Sequence, residues 1–286
     1  MINLAKRGLK IYFKDFGGVF FSLLGVIVIF CLFVFFIGDS ITNGLEFIDN
    51  IDEIMNSWVV AGMLASASIT TSMGAYALMV NDRVNKIVKD FNSAPVSKIS
   101  ITGGYLLTGY CISVLMSVVT LFIGELFIVS SGGHWLSLDV VAKVFGIILI
   151  SSFSSSAIVC FIVSFIRSVS TYTTVSILLG TTIGFLVGAY IPIGNLPDTV
   201  QKVIRCCPSA HAASLFRKVI MDIPMERAGD TLSSAVRTTF DRTLGIVYYF
   251  GDNSISTNTS LFFLAATGVV FYLLSILNLY LSKRRM

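Results

Sequence analysis

The chain alternates long apolar runs with short polar interruptions, and the runs have the length of a bilayer crossing. About 20 apolar residues of helix span the hydrocarbon core. Six such helices are predicted, at residues 17–38, 57–80, 101–130, 140–166, 172–193 and 259–281. The third and fourth exceed the bilayer and are expected to tilt or protrude. Residues 2–16, INLAKRGLKIYFKDF, mix Lys6, Arg7, Lys10 and Lys14 with Leu9, Ile11, Tyr12, Phe13 and Phe16. That mixture predicts an interfacial helix, apolar side in lipid and basic side toward anionic headgroups. The rival reading is a signal-peptide n-region. It fits less well, because the next run is too long for an h-region and lacks a small-residue cleavage site.

The polar interruptions differ in character. NDRVNKIVKDFNSAPVSKISITGG, residues 81–104, gathers Asp82, Arg83, Lys86, Lys89, Asp90 and Lys98 between two apolar runs. Val84, Ile87, Val88 and Phe91 recur at i, i+3, i+4 and i+7, so a short amphipathic helix is predicted over 82–94. Pro95 restricts Ala94 and ends it. Ser97 or Ser100 is then placed to cap the next helix. On the residues alone, this is either a solvated loop whose lysines set topology or a docking element for a partner protein.

Composition agrees with a membrane location. Of 286 residues, 55% are hydrophobic and 13% charged, with mean hydropathy +0.86; soluble domains carry about 25% charged residues. Placement of Lys and Arg says more than the net charge of +4. The basic N-terminus, the 81–100 loop, Arg167 and the KRRM tail fall on one side. The 39–57 loop on the other side holds Asp39, Glu46, Asp49, Asp52 and Glu53 without Lys or Arg, and SGGHWLS also lacks both. Both termini are therefore expected in the cytoplasm. The 194–258 segment is then outside despite its Lys and Arg, because long segments weigh little in the rule.

Several chemistries are absent from the sequence. There is no phosphate loop, no dinucleotide fingerprint and no HExxH, so the chain is not expected to be an enzyme or to bind nucleotide itself. Cys31, Cys111 and Cys160 lie in apolar runs, Cys206 and Cys207 are adjacent, and no zinc or disulfide spacing emerges. The basic residues form no stripe suited to nucleic acid.

Two stretches carry a family resemblance. DR…K…DFNSAPVSKISITGGYLL resembles the loop between the second and third spans of type-2 ABC transporter permeases. GAYIPIGNLPDTVQKVIRCCPSAHAASLFR resembles that family's fifth span and the broken helices after it. The basic-aromatic N-terminus and six-span layout match too, so the resemblance covers nearly the whole chain. One departure is the insert at residues 218–258, where the family usually has a short link.

The resemblance implies an all-α membrane fold: six transmembrane helices, an N-terminal interfacial helix, a cytoplasmic coupling helix and a re-entrant outer pair. It implies a permease subunit of an ATP-driven bacterial exporter in the plasma membrane, paired with a second permease copy or homologue. A separate cytoplasmic ATP-binding subunit would hold ATP and Mg. Arg83, Val84, Lys86, Ile87, Phe91 and Pro95 would meet that subunit, with Arg83 and Lys86 on the polar rim. Gly62, Ser66, Thr70 and Gly74 share one face of the second span, and Gly180, Gly184 and Gly188 one face of the fifth. Small faces let helices approach closely in lipid. They fit packing within one subunit or, with Thr173, the pathway and dimer face that the family implies. Residues 194–217, with Pro192 at their entry, Leu196, Pro197 and Pro208, fit either an interfacial loop or the family's outer gate. Residues 218–258 are expected outside, with Tyr248, Tyr249 and Phe250 suited to the headgroup belt. The SSFSSS run, Ser151–Ser156, is expected to satisfy its hydroxyls on carbonyls one turn back. A membrane assembly or sensor subunit that recruits a cytoplasmic partner is the alternative function. A secondary transporter fits less well, since intramembrane acids and a visible inverted repeat are absent.

Overall fold

The computed structural model describes residues 1–43, 45, 48–87, 97–229, 234–250 and 253–281. The chain is an all-α membrane protein. Among the described residues, five helices are long and apolar enough to cross a bilayer; a bent pair, counted as one span, makes a sixth.

Helix α1 (Ile2–Lys14) is amphipathic, with Ala5, Gly8 and Tyr12 buried. It stops at Asp15, whose Oδ1 accepts from Gly18 N at 2.9 Å and so caps α2 (Phe16–Ser22). After Leu23 come α3 (Leu24–Leu32), a π-helical turn at Phe33–Ile37, and α4 (Gly38–Thr42). The first span thus bends by 43° between Phe16–Ser22 and Leu24–Ile37. The break has local causes: the Ser22 hydroxyl donates to Val19 O at 2.7 Å, and Tyr12 of α1 reaches the same hydroxyl at 2.6 Å.

The second span is α5 (Ile51–Val84), the most enclosed helix; it packs against the first, third, fourth and fifth spans. The third is α6 (Lys98–Ser130), the fourth α7 (Leu138–Ser164), the fifth α8 (Val169–Leu186) and the sixth α13 (Thr257–Leu281). The third to sixth are each entered through a serine N-cap: the hydroxyls of Ser97, Ser137, Ser168 and Ser256 accept from the amides of Ser100, Val140, Thr171 and Thr259. Each satisfies one of the amides that a helix start leaves without a partner. The face holding α1 and the end of α5 is called the terminal face below. The opposite face, holding residues 187–256, is the insert face.

The fifth span ends earlier than the apolar run. Gly188, at φ +64°, takes the left-handed turn after Leu186 and Val187. Gly188 N donates to Phe185 O at 3.0 Å and Ala189 N to Gly184 O at 2.8 Å, a paired closure that favours glycine at the turn. A 3-10 turn (Ile193–Asn195) leads to α9 (Asp198–Arg205) and α10 (Pro208–Ile220). Pro208 opens α10 where its missing N–H costs nothing. Helix α10 is buried from Ser209 to Arg217 and packs against the second, fourth and sixth spans. The insert contains α11 (Asp222–Arg227), α12 (Ser234–Thr243) and a hairpin of two-residue strands, β1 (Tyr249–Phe250) and β2 (Asn253–Ser254).

Serines lace the bundle together. Ser68 Oγ meets Ser155 Oγ at 2.9 Å, Ser113 donates to Ser68 O at 2.9 Å, and Tyr76 OH meets Ser156 Oγ at 3.0 Å. Within SSFSSS, Ser151 bonds back to Ile148 O as expected, whereas Ser155 and Ser156 reach across to neighbouring spans. Small side chains bring the helices close enough for hydroxyls to cross the gap.

Candidate functional site

At the terminal face, the last turn of α5 joins three elements. Asp82 is 1% exposed. Arg7 of α1 grips it with both guanidinium arms, Nη1 to Oδ2 and Nη2 to Oδ1, each at 2.8 Å. Tyr105 of α6 donates its hydroxyl to Oδ2 at 2.7 Å. This charge-assisted fork is directional as well as strong. It holds the Arg7 guanidinium above its usual pKa. One residue on, Arg83 Nη1 donates to Val163 O (2.9 Å), Ser164 O (3.2 Å) and Ile166 O (2.7 Å) at the end of α7. A cation there meets the negative end of the helix dipole.

This geometry revises the expected short helix over 82–94. Asp82, Arg83 and Val84 belong to the second span, and the helix stops there. Lys86 sits at φ +61°, in the left-handed region, so Val84 and Ile87 do not share one unbroken helix. Arg83 is not a rim residue: its guanidinium turns inward to the fourth span. Val84 is 46% exposed, Lys86 is exposed and Ile87 half-buried. Val88, Phe91 and Pro95 lie outside the described residues.

The small-residue faces divide differently from the grouping drawn on spacing. On α5, Gly62, Ser66 and Thr70 are buried and Gly74 half-buried. Gly62 abuts Ala189, Thr70 lies against Gly25, and Gly74 meets Ser22. That stripe packs against the chain's own first span and the turn after the fifth, so it is not an open face. On α8, Gly184 lies against Tyr190, and in the turn after it Gly188 lies against Ile193, both also within the chain; Gly180 is half-buried, and a side chain there would meet no described atom within 4 Å. The open side of α8 carries Thr173, Thr174, Ile177, Leu178, Thr181 and Phe185. The hydroxyls of Thr173, Thr174 and Thr181 donate to α8's own carbonyls, so this side is effectively apolar.

At the insert face, Pro192 is buried, Leu196 and Pro208 half-buried, and Pro197 exposed. Between them sits a residue that the motifs did not single out. Arg217 is 0% exposed. Its Nη2 donates to Val187 O at 2.8 Å and Gly188 O at 3.0 Å, its Nη1 to Gly245 O at 3.5 Å, and its guanidinium lies 5.0 Å from the Trp58 ring. Trp58 donates Nε1–H to Leu244 O at 2.9 Å. Burial pushes the Arg217 pKa down to about 10, so it remains a cation at neutral pH. His211 bonds Arg205 O through Nε2 at 2.8 Å and Ser260 Oγ through Nδ1 at 3.1 Å. A carbonyl only accepts, so Nε2 carries the proton.

The insert is tied to the bundle, not loose outside it. Ser214 donates to Ile246 O at 2.6 Å, and Arg227 pairs with the buried Glu53 at 3.1 Å. Tyr248 is buried and donates to Ala210 O at 3.2 Å, which removes it from any headgroup belt. An arginine at the end of the small-residue run SAHAASLFR is the available signal for Arg217: a charge in a helix that the fold buries needs partners. Among the described residues, no group of three or more His, Cys, Asp or Glu side chains is placed to hold a metal ion.

A bundle of apolar spans, one of them broken, with a short buried helix under one face, defines a multi-pass membrane protein. A family model described as ABC-2 family transporter protein matches residues 39–277, and the chain belongs to that family. It is therefore a permease subunit of an ABC transporter. No curated protein is significantly similar to the chain.

Proposed function

We propose that the chain is the permease of an ATP-driven exporter. It works as a pair of permeases, with a separate ATPase subunit that binds ATP and Mg at the terminal face. On this reading the terminal face is cytoplasmic, the host membrane is a bacterial plasma membrane, and the open apolar side of α8 faces the partner permease. The observation that carries the proposal is the joint at the end of α5. Asp82 ties the second span to α1 and the third, and Arg83 ties it to the fourth. Exposed Val84 and Lys86 follow at once. A force applied just beyond the joint reaches four helices together. ATP binding in a partner shifts the permease only through contacts that differ between its states, and this joint delivers such a difference without slack.

The test is to purify the chain with its native partners and assay ATP hydrolysis. An ATPase subunit that copurifies in stoichiometric amount, and whose turnover drops when Val84 and Lys86 are both replaced by Asp, is the expected result. A stable partner without ATPase activity would overturn the proposal.

A further inference from the structure

At the insert-face end of the first span lies a cavity of about 530 Å³. That falls within the roughly 300–1,000 Å³ of small-molecule sites. Its apolar wall is built by Ile37 and Ile41, by Tyr190 and Pro192 after the fifth span, and by Phe240 and Leu244 of the insert. Ser40, Asn195, Thr239 and Thr243 add hydroxyls and a carboxamide to the lining. Among the described residues, no Asp, Glu, Lys, Arg or His lines it. Phe36 stands at its edge, 73% exposed, beside Phe35 at 72%. Both belong to the π-helical turn Phe33–Ile37, an irregularity frequent at functional sites.

We propose that this cavity binds an uncharged amphiphile drawn from the bilayer: one apolar chain with a hydroxyl- or amide-bearing head. Three observations select that chemistry. The aliphatic and aromatic wall gains from burying an apolar chain. The four polar side chains offer donors and acceptors to a neutral head. Against the described lining, an ionised head would sit among uncharged groups with no counter-charge, which disfavours it strongly. The source is the bilayer because the edge of the cavity is the apolar end of a span, where Phe35 and Phe36 are exposed on an apolar surface suited to lipid. The cavity forms within one chain, so the proposal stands whether or not the chain exports anything.

The test uses the full chain in lipid nanodiscs with a diazirine-bearing monoacylglycerol. A diazirine fatty acid of equal chain length, ionised at about pH 8, serves as the charged control. The neutral probe should label Phe36–Ile41, Tyr190–Asn195 and Thr239–Leu244, and excess unlabelled monoacylglycerol should compete it away. Thr239→Trp and Ser40→Trp, both at exposed positions of the lining, should each lower that labelling roughly tenfold by filling the site. Labelling at lipid-facing Phe20 and Phe21 should stay constant and reports an intact fold. Equal or stronger labelling by the fatty acid would overturn the proposal. So would cavity labelling that unlabelled monoacylglycerol does not compete. If either tryptophan variant misfolds, competition in the unmodified chain still decides between the two outcomes.

Discussion

Two arginines close helix ends on opposite faces of this molecule, and they do so in different surroundings. Arg83 turns three carbonyls at the end of the fourth span toward one nitrogen, and Arg217 gathers two at the end of the fifth and one from the insert. Among the described residues neither forms an ion pair; the negative end of a helix dipole stands in for a carboxylate. Arg217 has no exposure and an indole face against it, and it ties the fifth span, α10 and the insert to the second span. Arg83 is half-buried beside an exposed chain segment. The insert face is thus locked inside one chain, while the terminal face is tied just where another protein can reach it. The first arrangement serves stability; the second is the one that the proposed function uses to carry movement inward.

The contrast predicts where truncation hurts most. Arg217→Met should cost roughly 3–4 kcal/mol, since it strands carbonyls of Val187, Gly188 and Gly245 in a dry interior. The check is thermal unfolding of purified protein, with Arg217→Lys recovering only part because an ammonium neither forks nor stacks on Trp58. An unchanged melting temperature in Arg217→Met would mean that the guanidinium is incidental. Asp82→Asn should cost less, about 2 kcal/mol, because Arg7 is partly solvated and keeps some hydration when its partner is lost. A double-mutant cycle with Arg7→Met should show strong coupling, the pair losing less than the sum of the single changes.

Much of this fold was legible in the sequence, and the parts that were not have physical reasons. Each expected apolar run falls on a long apolar helix or the bent pair, because the bilayer demands length, although the second helix starts at Ile51 where 57 is expected. The fifth span was placed to 193 yet ends at Leu186, because Gly188 turns the chain while the residues beyond remain apolar. Periodicity drew Val84 and Ile87 onto one helix, but a left-handed Lys86 separates them, and nothing in a lysine announces that geometry. The glycine stripes are visible, and packing within one subunit is one of the two uses expected of them; which helices they meet is not visible, since spacing says that helices approach and not which ones. Arg7, Asp82 and Tyr105 lie far apart in sequence, so only the fold brings the joint together.

Arg83→Met should destabilise by about 1–2 kcal/mol, less than the loss at Arg217, because water reaches part of the site and can satisfy the freed carbonyls. Its larger effect should fall on coupling, read as ATP hydrolysed per substrate moved. His211 gives a smaller, pH-dependent effect. Burial, the leading cause, lowers its pKa, so the folded state prefers it neutral. The unfolded chain binds the proton more readily below about pH 6.5. Stability from His211 is therefore full above that value and declines as pH falls through the lowered folded value. Melting temperatures from pH 8 to pH 5 should drop faster for the unmodified protein than for His211→Gln; parallel curves would remove His211 as the cause.

Lys86 offers the smallest structural effect and the sharpest functional one. It is exposed, and no hydrogen bond or ion pair of its side chain is seen among the described residues. Its backbone already holds the left-handed conformation that Gly and Asn adopt most readily. Lys86→Asn should therefore leave stability within about 0.5 kcal/mol, or raise it slightly. Charge is then the only property of consequence removed. If the terminal face receives an ATPase, Lys86→Asn should weaken that association in a salt-dependent way, with the difference from the unmodified protein shrinking as ionic strength rises. Arg83→Met should alter coupling at every salt concentration, since its contacts lie inside the chain. Identical salt responses in the two variants would erase the distinction between a residue that meets the partner and one that carries the movement inward.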